Sequence, residues 1–147
     1  MIPQTLLPQL SAEETAAFLQ HKLAVYTDAW DLAEALRAGA AGVQVLDVRA
    51  LERYQQGHIP GAVSFPHRTM TAETLAALDP DKCYITYCDG IGCNGSTKGA
   101  LKLAQAGLSV RELLGGLDFW LRDQHPQLNG DLPGAWPVAG TGKECGC

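Results

Sequence analysis

Residues 43–48 read Val-Gln-Val-Leu-Asp-Val, a short run that is apolar on both faces apart from Gln44 and Asp47. A strand exposed on one side of an antiparallel sheet alternates apolar and polar residues. One without that alternation belongs in a sheet covered on both sides, which is the usual condition of parallel sheets flanked by helices. The rest of the chain fits the same arrangement, because a short apolar run at 23–26 and predicted strands at 62–65, 83–88 and 110–113 alternate with helical segments. Ser11 followed by Glu13 and Glu14 caps a helix over 11–21. Thr27 or Asp28 caps another through residue 37, with Trp30, Leu32, Ala33 and Leu36 as its apolar stripe, and Gly39 and Gly42 close it. Residues 50–56 form one or two helical turns ended by Gly57. Pro60-Gly61 makes a turn, and Thr71 caps a helix to residue 78. Residues 96–106 form a helix ended by Gly107, and Gly115-Gly116 lead into a last helix through residue 122. The alternation predicts an α/β fold with a mostly parallel five-stranded sheet and helices on both faces. A single domain spans 1–125, and the Pro- and Gly-rich tail over 126–147 is expected to be irregular.

In such folds the chemistry sits outside the carboxyl ends of the strands, here the loops after Val48, Phe65, Cys88 and Leu113. The third of these loops is the most informative. It reads Tyr87-Cys88-Asp89-Gly90-Ile91-Gly92-Cys93-Asn94-Gly95-Ser96-Thr97-Lys98. A cysteine ends a buried strand, three glycines let the backbone curl, and a helix then begins. Curled backbone N–H groups form an anion nest, and a helix N-terminus adds partial positive charge. Cys88 at the centre is therefore expected to be a thiolate nucleophile, with the backbone of Asp89, Gly90, Ile91, Gly92, Cys93, Asn94, Gly95 and Ser96 as its cradle. The alternative is a tight strand-to-helix turn with a cysteine that only packs. Asp89 opposes activation by its charge, and Lys98 is the nearest cation in sequence, so activation rests mainly on backbone dipoles.

The ordered motifs resemble the rhodanese-like sulfurtransferase family. They are Asp47-Val48-Arg49, then Glu52 and Tyr54, the ungapped Gly57-His58-Ile59-Pro60-Gly61-Ala62, Tyr87-Cys88, and Gly115-Gly116 followed by Trp120. The resemblance runs over about residues 23–123. It implies the rhodanese fold and a Cys88 that takes sulfane sulfur from a donor such as thiosulfate and holds it as a persulfide. A thiol, cyanide or a sulfur-accepting protein would then remove the sulfur, with no organic cofactor. By the same resemblance Asp47, Arg49 and His58 fix the strand ends and the turn. The loop departs from the common family pattern: it is longer and lacks a terminal arginine. It resembles a single-domain subgroup with an internal Cys-Asn-Gly, here Cys93-Asn94-Gly95. His67 and Arg68 after the third strand are candidates to supply the missing charge, and a solvated loop is the alternative.

The cysteines bear on setting and on rival functions. Five of them, at 83, 88, 93, 145 and 147, make an odd and late-clustered set, unlike a secreted disulfide scaffold. With no apolar run of membrane-spanning length and no secretory signal pattern, a cytoplasmic location is expected. A net charge of -5 argues against nucleic acid and anionic lipid as partners. Cys93 is either a resolving thiol for Cys88 or a packed side chain. Cys83 is expected to pack. Cys145 and Cys147 form a Cys-x-Cys that could relay sulfur or bind a soft metal, though two thiols do not complete a structural zinc site. No metal site is assigned. A cysteine phosphatase or arsenate reductase needs an arginine to grip its oxyanion after five intervening residues. That position is Asn94 counted from Cys88 and Gly99 counted from Cys93, so neither fits. A thiol-redox or metal/sulfur-relay protein and a non-catalytic binding module remain as alternatives.

Overall fold

The computed structural model describes residues 1–137. Its elements run α1 (Ala12–Val25), β1 (Tyr26–Thr27), α2 (Ala29–Arg37), β2 (Val43–Asp47), α3 (Leu51–Gln56), β3 (Val63–Ser64), α4 (Ala72–Ala76), β4 (Cys83–Tyr87), α5 (Gly95–Gln105), β5 (Ser109–Leu113) and α6 (Gly116–Arg122). The five strands form one sheet in the order β1-β5-β4-β2-β3, and every ladder is parallel. The α/β reading of the sequence holds, with the sheet parallel throughout.

Side chains that alternate along β2 and β4 build a core on each face. Val45, Ile85 and Tyr87 face Leu32 and Ala33 of α2, Tyr54 of α3 and Leu117 and Trp120 of α6. Leu46, Tyr84 and Cys88 join Val48, Met70, Leu75 of α4 and Leu103 of α5. Burial on both sides is why these strands lack a polar face. The central strand β4 lies between β2 and β5, so the segment after it opens in the middle of the sheet edge.

Three sequence expectations are corrected. The run at 23–26 is not a strand. Helix α1 continues to Val25, where the N–H of Tyr26 donates to the carbonyl of Lys22, and β1 retains only Tyr26 and Thr27. A short apolar run carries no period that separates strand from helix. Leu23 and Val25 are exposed, so they gain nothing from a place in the sheet. Trp30, assigned to the apolar stripe of α2, also points outward, and the stripe is carried by Ala29, Leu32 and Ala33 with Leu36 packed beside them. Strand β3 is shorter than its apolar run, with only Val63 and Ser64 paired to β2.

The segment after Pro126 has no helix or strand through residue 137, yet it is tied down. His58 and Leu128 exchange backbone N–H···O bonds of 2.8 and 2.9 Å. The amide of Gly61 donates to Pro133 O and that of Gly130 to Gln55 O. The indole N–H of Trp120 donates to Pro126 O at 2.7 Å, and Trp136 packs against the first core. The buried His58 ring stacks on Tyr54, and its two nitrogens lie 2.9 and 3.0 Å from the carbonyl oxygens of Tyr54 and Leu132. His58 thus joins α3, its own turn and the later segment. The Cys-x-Cys at 145 and 147 lies outside the described residues.

Candidate functional site

Cys88 is the first residue past β4 and is 5% exposed. Cys93 comes back to it through a turn closed by its own amide on Gly90 O at 3.1 Å. The two side chains are joined in a disulfide with their Cα atoms 6.3 Å apart. That separation lies within the range a bridge spans without moving backbone. The choice left open for Cys93 is therefore narrowed: its sulfur meets that of Cys88, and the residue is only partly buried. Cys83 is a free thiol packed against the first core, as expected.

Helix α5 starts directly beneath the pair. A Cβ added at Gly95 would lie 3.1 Å from Cys88 Sγ and 3.4 Å from both Cys93 Sγ and the His67 ring. Glycine is needed here for space, because it lets the helix N-terminus and its partial positive charge approach both sulfurs. Among the described residues, no protein acceptor takes the N–H groups of Gly90, Ile91, Gly92, Asn94, Gly95 or Ser96. Gly95→Ala is expected to leave stability within about 1 kcal/mol, since the gain in helix propensity offsets crowding. It should lower the rate of Cys88 alkylation by a small haloacetamide in the reduced protein by about tenfold, because small displacements at a reacting centre are costly. An unchanged rate would mean that the close approach of α5 does not matter to the thiol.

The charge of Asp89 is not left facing the sulfur. Its carboxylate accepts from Arg49 Nη1 at 3.1 Å and lies 3.7 Å from Arg53 Nη1. Arg49 is held in turn by the fully buried Asp47, which accepts from its amide, its Nε and its Nη2, while Nη2 also donates to Gly57 O. The Tyr87 hydroxyl donates at 2.6 Å to Asp47 Oδ2, the oxygen that also accepts from Arg49 Nη2, and accepts from the Ile59 amide. Burial alone would lower the pKa of Arg49, but the hydrogen bonds and charge of Asp47 outweigh it and raise the value. Burial, reinforced by Asp47, raises that of Tyr87, so both protons stay in place. The roles given to Asp47, Arg49 and His58 by family resemblance have these partners. Arg49 has the added one of reaching Asp89, which sequence separation hides.

A cleft of about 310 Å³ opens over the sulfurs, and Cys88, Cys93, Asp89, Arg49, Arg53, His67 and Arg68 are among its lining residues. His67 and Arg68 thus reach the site from the neighbouring loop. Burial, with the nearby charges of Lys102, Arg68 and Lys98, holds the pKa of His67 below the ordinary imidazole value, so it adds no positive charge at neutral pH. The cations on the cleft are the arginines. Lys98 points to solvent from α5 and does not line the cleft, and Lys102 fixes the His67 loop by donating to its carbonyl at 2.7 Å. Ile91 of the loop is exposed.

Two further contributions to the site are absent from the sequence analysis, that of Glu112 and the site role of Gly116. Glu112 of β5, 5% exposed, accepts from the hydroxyls of Ser96 and Thr97 at 3.1 and 2.7 Å and so fixes the first turn of α5. Its only sequence signal is a carboxylate within a predicted strand. Gly116 lets α6 seat on the loop. The amides of Leu117 and Asp118 donate to the carbonyls of Cys88 and Asp89 at 3.0 and 2.9 Å. A Cβ at Gly116, whose φ is +59°, would lie 2.5 Å from Cys88 O. The Gly115-Gly116 pair therefore serves the site as well as the turn.

The geometry can be set beside known proteins. The family model described as "Rhodanese-like domain" matches residues 28–123. The chain is 39% identical over 94 residues to the HTH-type transcriptional regulator Rv0324 of Mycobacterium tuberculosis, over 63% of this chain and 41% of that protein, so it spans less than half of that relative. It is 30% identical over 96 residues to the chloroplastic thiosulfate sulfurtransferase 16 of Arabidopsis thaliana, over 58% of this chain and 80% of that one. The crystal structure of the BH2092 protein from Bacillus halodurans superposes with a TM-score of 0.77 at 37% identity, covering 82% of this chain and 88% of the other. With its five parallel strands, its ordered motifs and a matching family model over most of its length, this chain belongs to the rhodanese-like domain family.

Proposed function

We propose that this protein is a sulfurtransferase in which Cys88 carries sulfane sulfur as a persulfide. The observation that carries the proposal is the position of the Cys88 sulfur. It lies at the N-terminus of α5, at the floor of a cleft that three arginines line. With Arg49 and Arg53 partly neutralised by Asp47 and Asp89, the cleft keeps a net positive charge through Arg68, which draws in a dianion such as thiosulfate. The reduced Cys88 thiolate attacks its outer sulfur, the sulfur–sulfur bond of the donor breaks, and sulfite leaves with the electron pair. The persulfide anion that remains is stabilised by the helix N-terminus and by loop amides without a protein partner. A thiol or cyanide then takes the outer sulfur and returns the thiolate. The sequence relation to a plant thiosulfate sulfurtransferase supports the same chemistry.

The test is intact mass. Fully reduced protein incubated with thiosulfate should gain one sulfur, about 32 Da, and lose it to cyanide, provided the sample is quenched within the first turnover. No gain with either thiosulfate or glutathione persulfide, with no sulfite released from thiosulfate and no glutathione released from its persulfide, would overturn the proposal.

A further inference from the structure

The proposal above accounts for Cys88 and leaves its partner unused. Cys93 is the more accessible of the two, lines the same cleft, and is already bonded to the nucleophile. It also lines a second, smaller cavity of about 170 Å³ on the other side of the loop, beside Ser96 and Glu112. A thiol that can reach Cys88 Sγ can also attack it when that sulfur carries a second one. We infer that Cys93 is a resolving cysteine, which makes the protein a releaser of hydrosulfide that runs on a dithiol reductant. The inference rests on the persulfide reading of Cys88.

Cys88 enters as the persulfide anion and Cys93 as the thiol. The Cys93 sulfur bonds to Cys88 Sγ, the bond from Cys88 Sγ to the outer sulfur breaks, and the Cys93 proton leaves with that sulfur as HS⁻. The outer sulfur is reduced to sulfide and the two cysteines are oxidised to the bridge seen in the structure. A dithiol reductant then reopens the bridge by two exchange steps, giving up two hydrogens and becoming a disulfide itself. With thiosulfate as donor the products are sulfite, hydrosulfide and the oxidised dithiol. Geometry favours this course over delivery to a bulky acceptor, because Cys88 is only 5% exposed at the floor of its cleft. Cys93 needs no docking partner to reach it. The turn at Gly90 and the 6.3 Å Cα separation hold the attacking residue in range, so the step is intramolecular.

The experiment compares wild type with Cys93→Ser and Cys93→Ala. Each protein is fully reduced, freed of reductant and given a slight excess of thiosulfate, with glutathione persulfide in parallel. Sulfite and sulfide are assayed, and mass is taken after alkylation. Wild type should release about one equivalent of sulfide after sulfite and end about 2 Da light, with neither Cys88 nor Cys93 alkylated. Both variants should release sulfite, hold about 32 Da of added sulfur on Cys88, and release sulfide at least about tenfold more slowly. A wild type that keeps its added sulfur as stably as the variants, or moves it onto Cys93 without sulfide, overturns the resolving role and leaves the sulfurtransferase reading standing. Failure of all three proteins to take up sulfur from either donor, with no sulfite released from thiosulfate and no glutathione from its persulfide, overturns that reading, and the inference with it.

Discussion

Cys88→Ser will transfer no measurable sulfur: turnover with thiosulfate and cyanide should fall by at least about 10,000-fold, the scale on which enzymes lose rate when their nucleophile is removed. A serine hydroxyl is not ionised at neutral pH and does not accept sulfane sulfur, so neither the arginines nor the helix N-terminus can rescue the step. The substitution is otherwise mild. The introduced hydroxyl would sit in a site where the carbonyls of Cys88 and Asp89, at the start of the loop, stay bonded to α6. Measured in reductant, so that loss of the bridge does not enter, the variant's stability should lie within about 1–2 kcal/mol of wild type, because only one buried sulfur atom is exchanged. Residual transfer within tenfold of wild type would move the nucleophile elsewhere, with Cys93 the next thiol to replace.

Asp47→Ala should be the most destabilising single change in the neighbourhood of the site. The Asp47 carboxylate, 0% exposed, takes four hydrogen bonds from Arg49 and Tyr87. Removing it leaves the Tyr87 phenol without its acceptor and the buried Arg49 with only Gly57 O and the half-exposed Asp89, and breaking such a buried pair costs roughly 3–5 kcal/mol. For a domain of this size that lowers the melting temperature by roughly 10 °C, read by calorimetry or circular dichroism. Arg49 would also lose its anchor beside Asp89, so sulfur loading should slow in whatever fraction stays folded. A loss below about 1 kcal/mol would mean that Arg49 finds another acceptor and that the Asp47 network is not what fixes β2 to β4.

The order of elements was legible because burial on both faces leaves its mark in the residues of β2 and β4, and because Ser11, Asp28 and Thr71 each cap a helix with a side chain that accepts from the third residue on. The junction of α1 and β1 was not legible, since an apolar run too short to show a period fits either state. Position in the chain placed Cys88 at the end of β4. The pairing of Asp89 with Arg49 spans 40 residues, and that of His58 with Leu132 spans 74, so no local pattern announces them. The same holds for Glu112 beneath Ser96. Cys93 was ambiguous for a different reason: a thiol five residues on can fold back or turn inward, and only the course of the loop decides.

The seating of α6 has a mechanical consequence. The carbonyls of Cys88 and Asp89 are fastened to α6, and Thr86 Oγ1 donates to Ser96 O at 3.0 Å, so the loop is pinned at both of its feet. What remains between the pins is 90–94, the stretch that carries Cys93 and the exposed Ile91. Opening the bridge therefore works like lifting a latch from a fixed post: the post, Cys88, keeps its place against the cleft, and the change of shape is confined to the tip. A partner protein that touches this tip would meet one surface when the bridge is closed and another when it is open, while the rest of the domain looks the same.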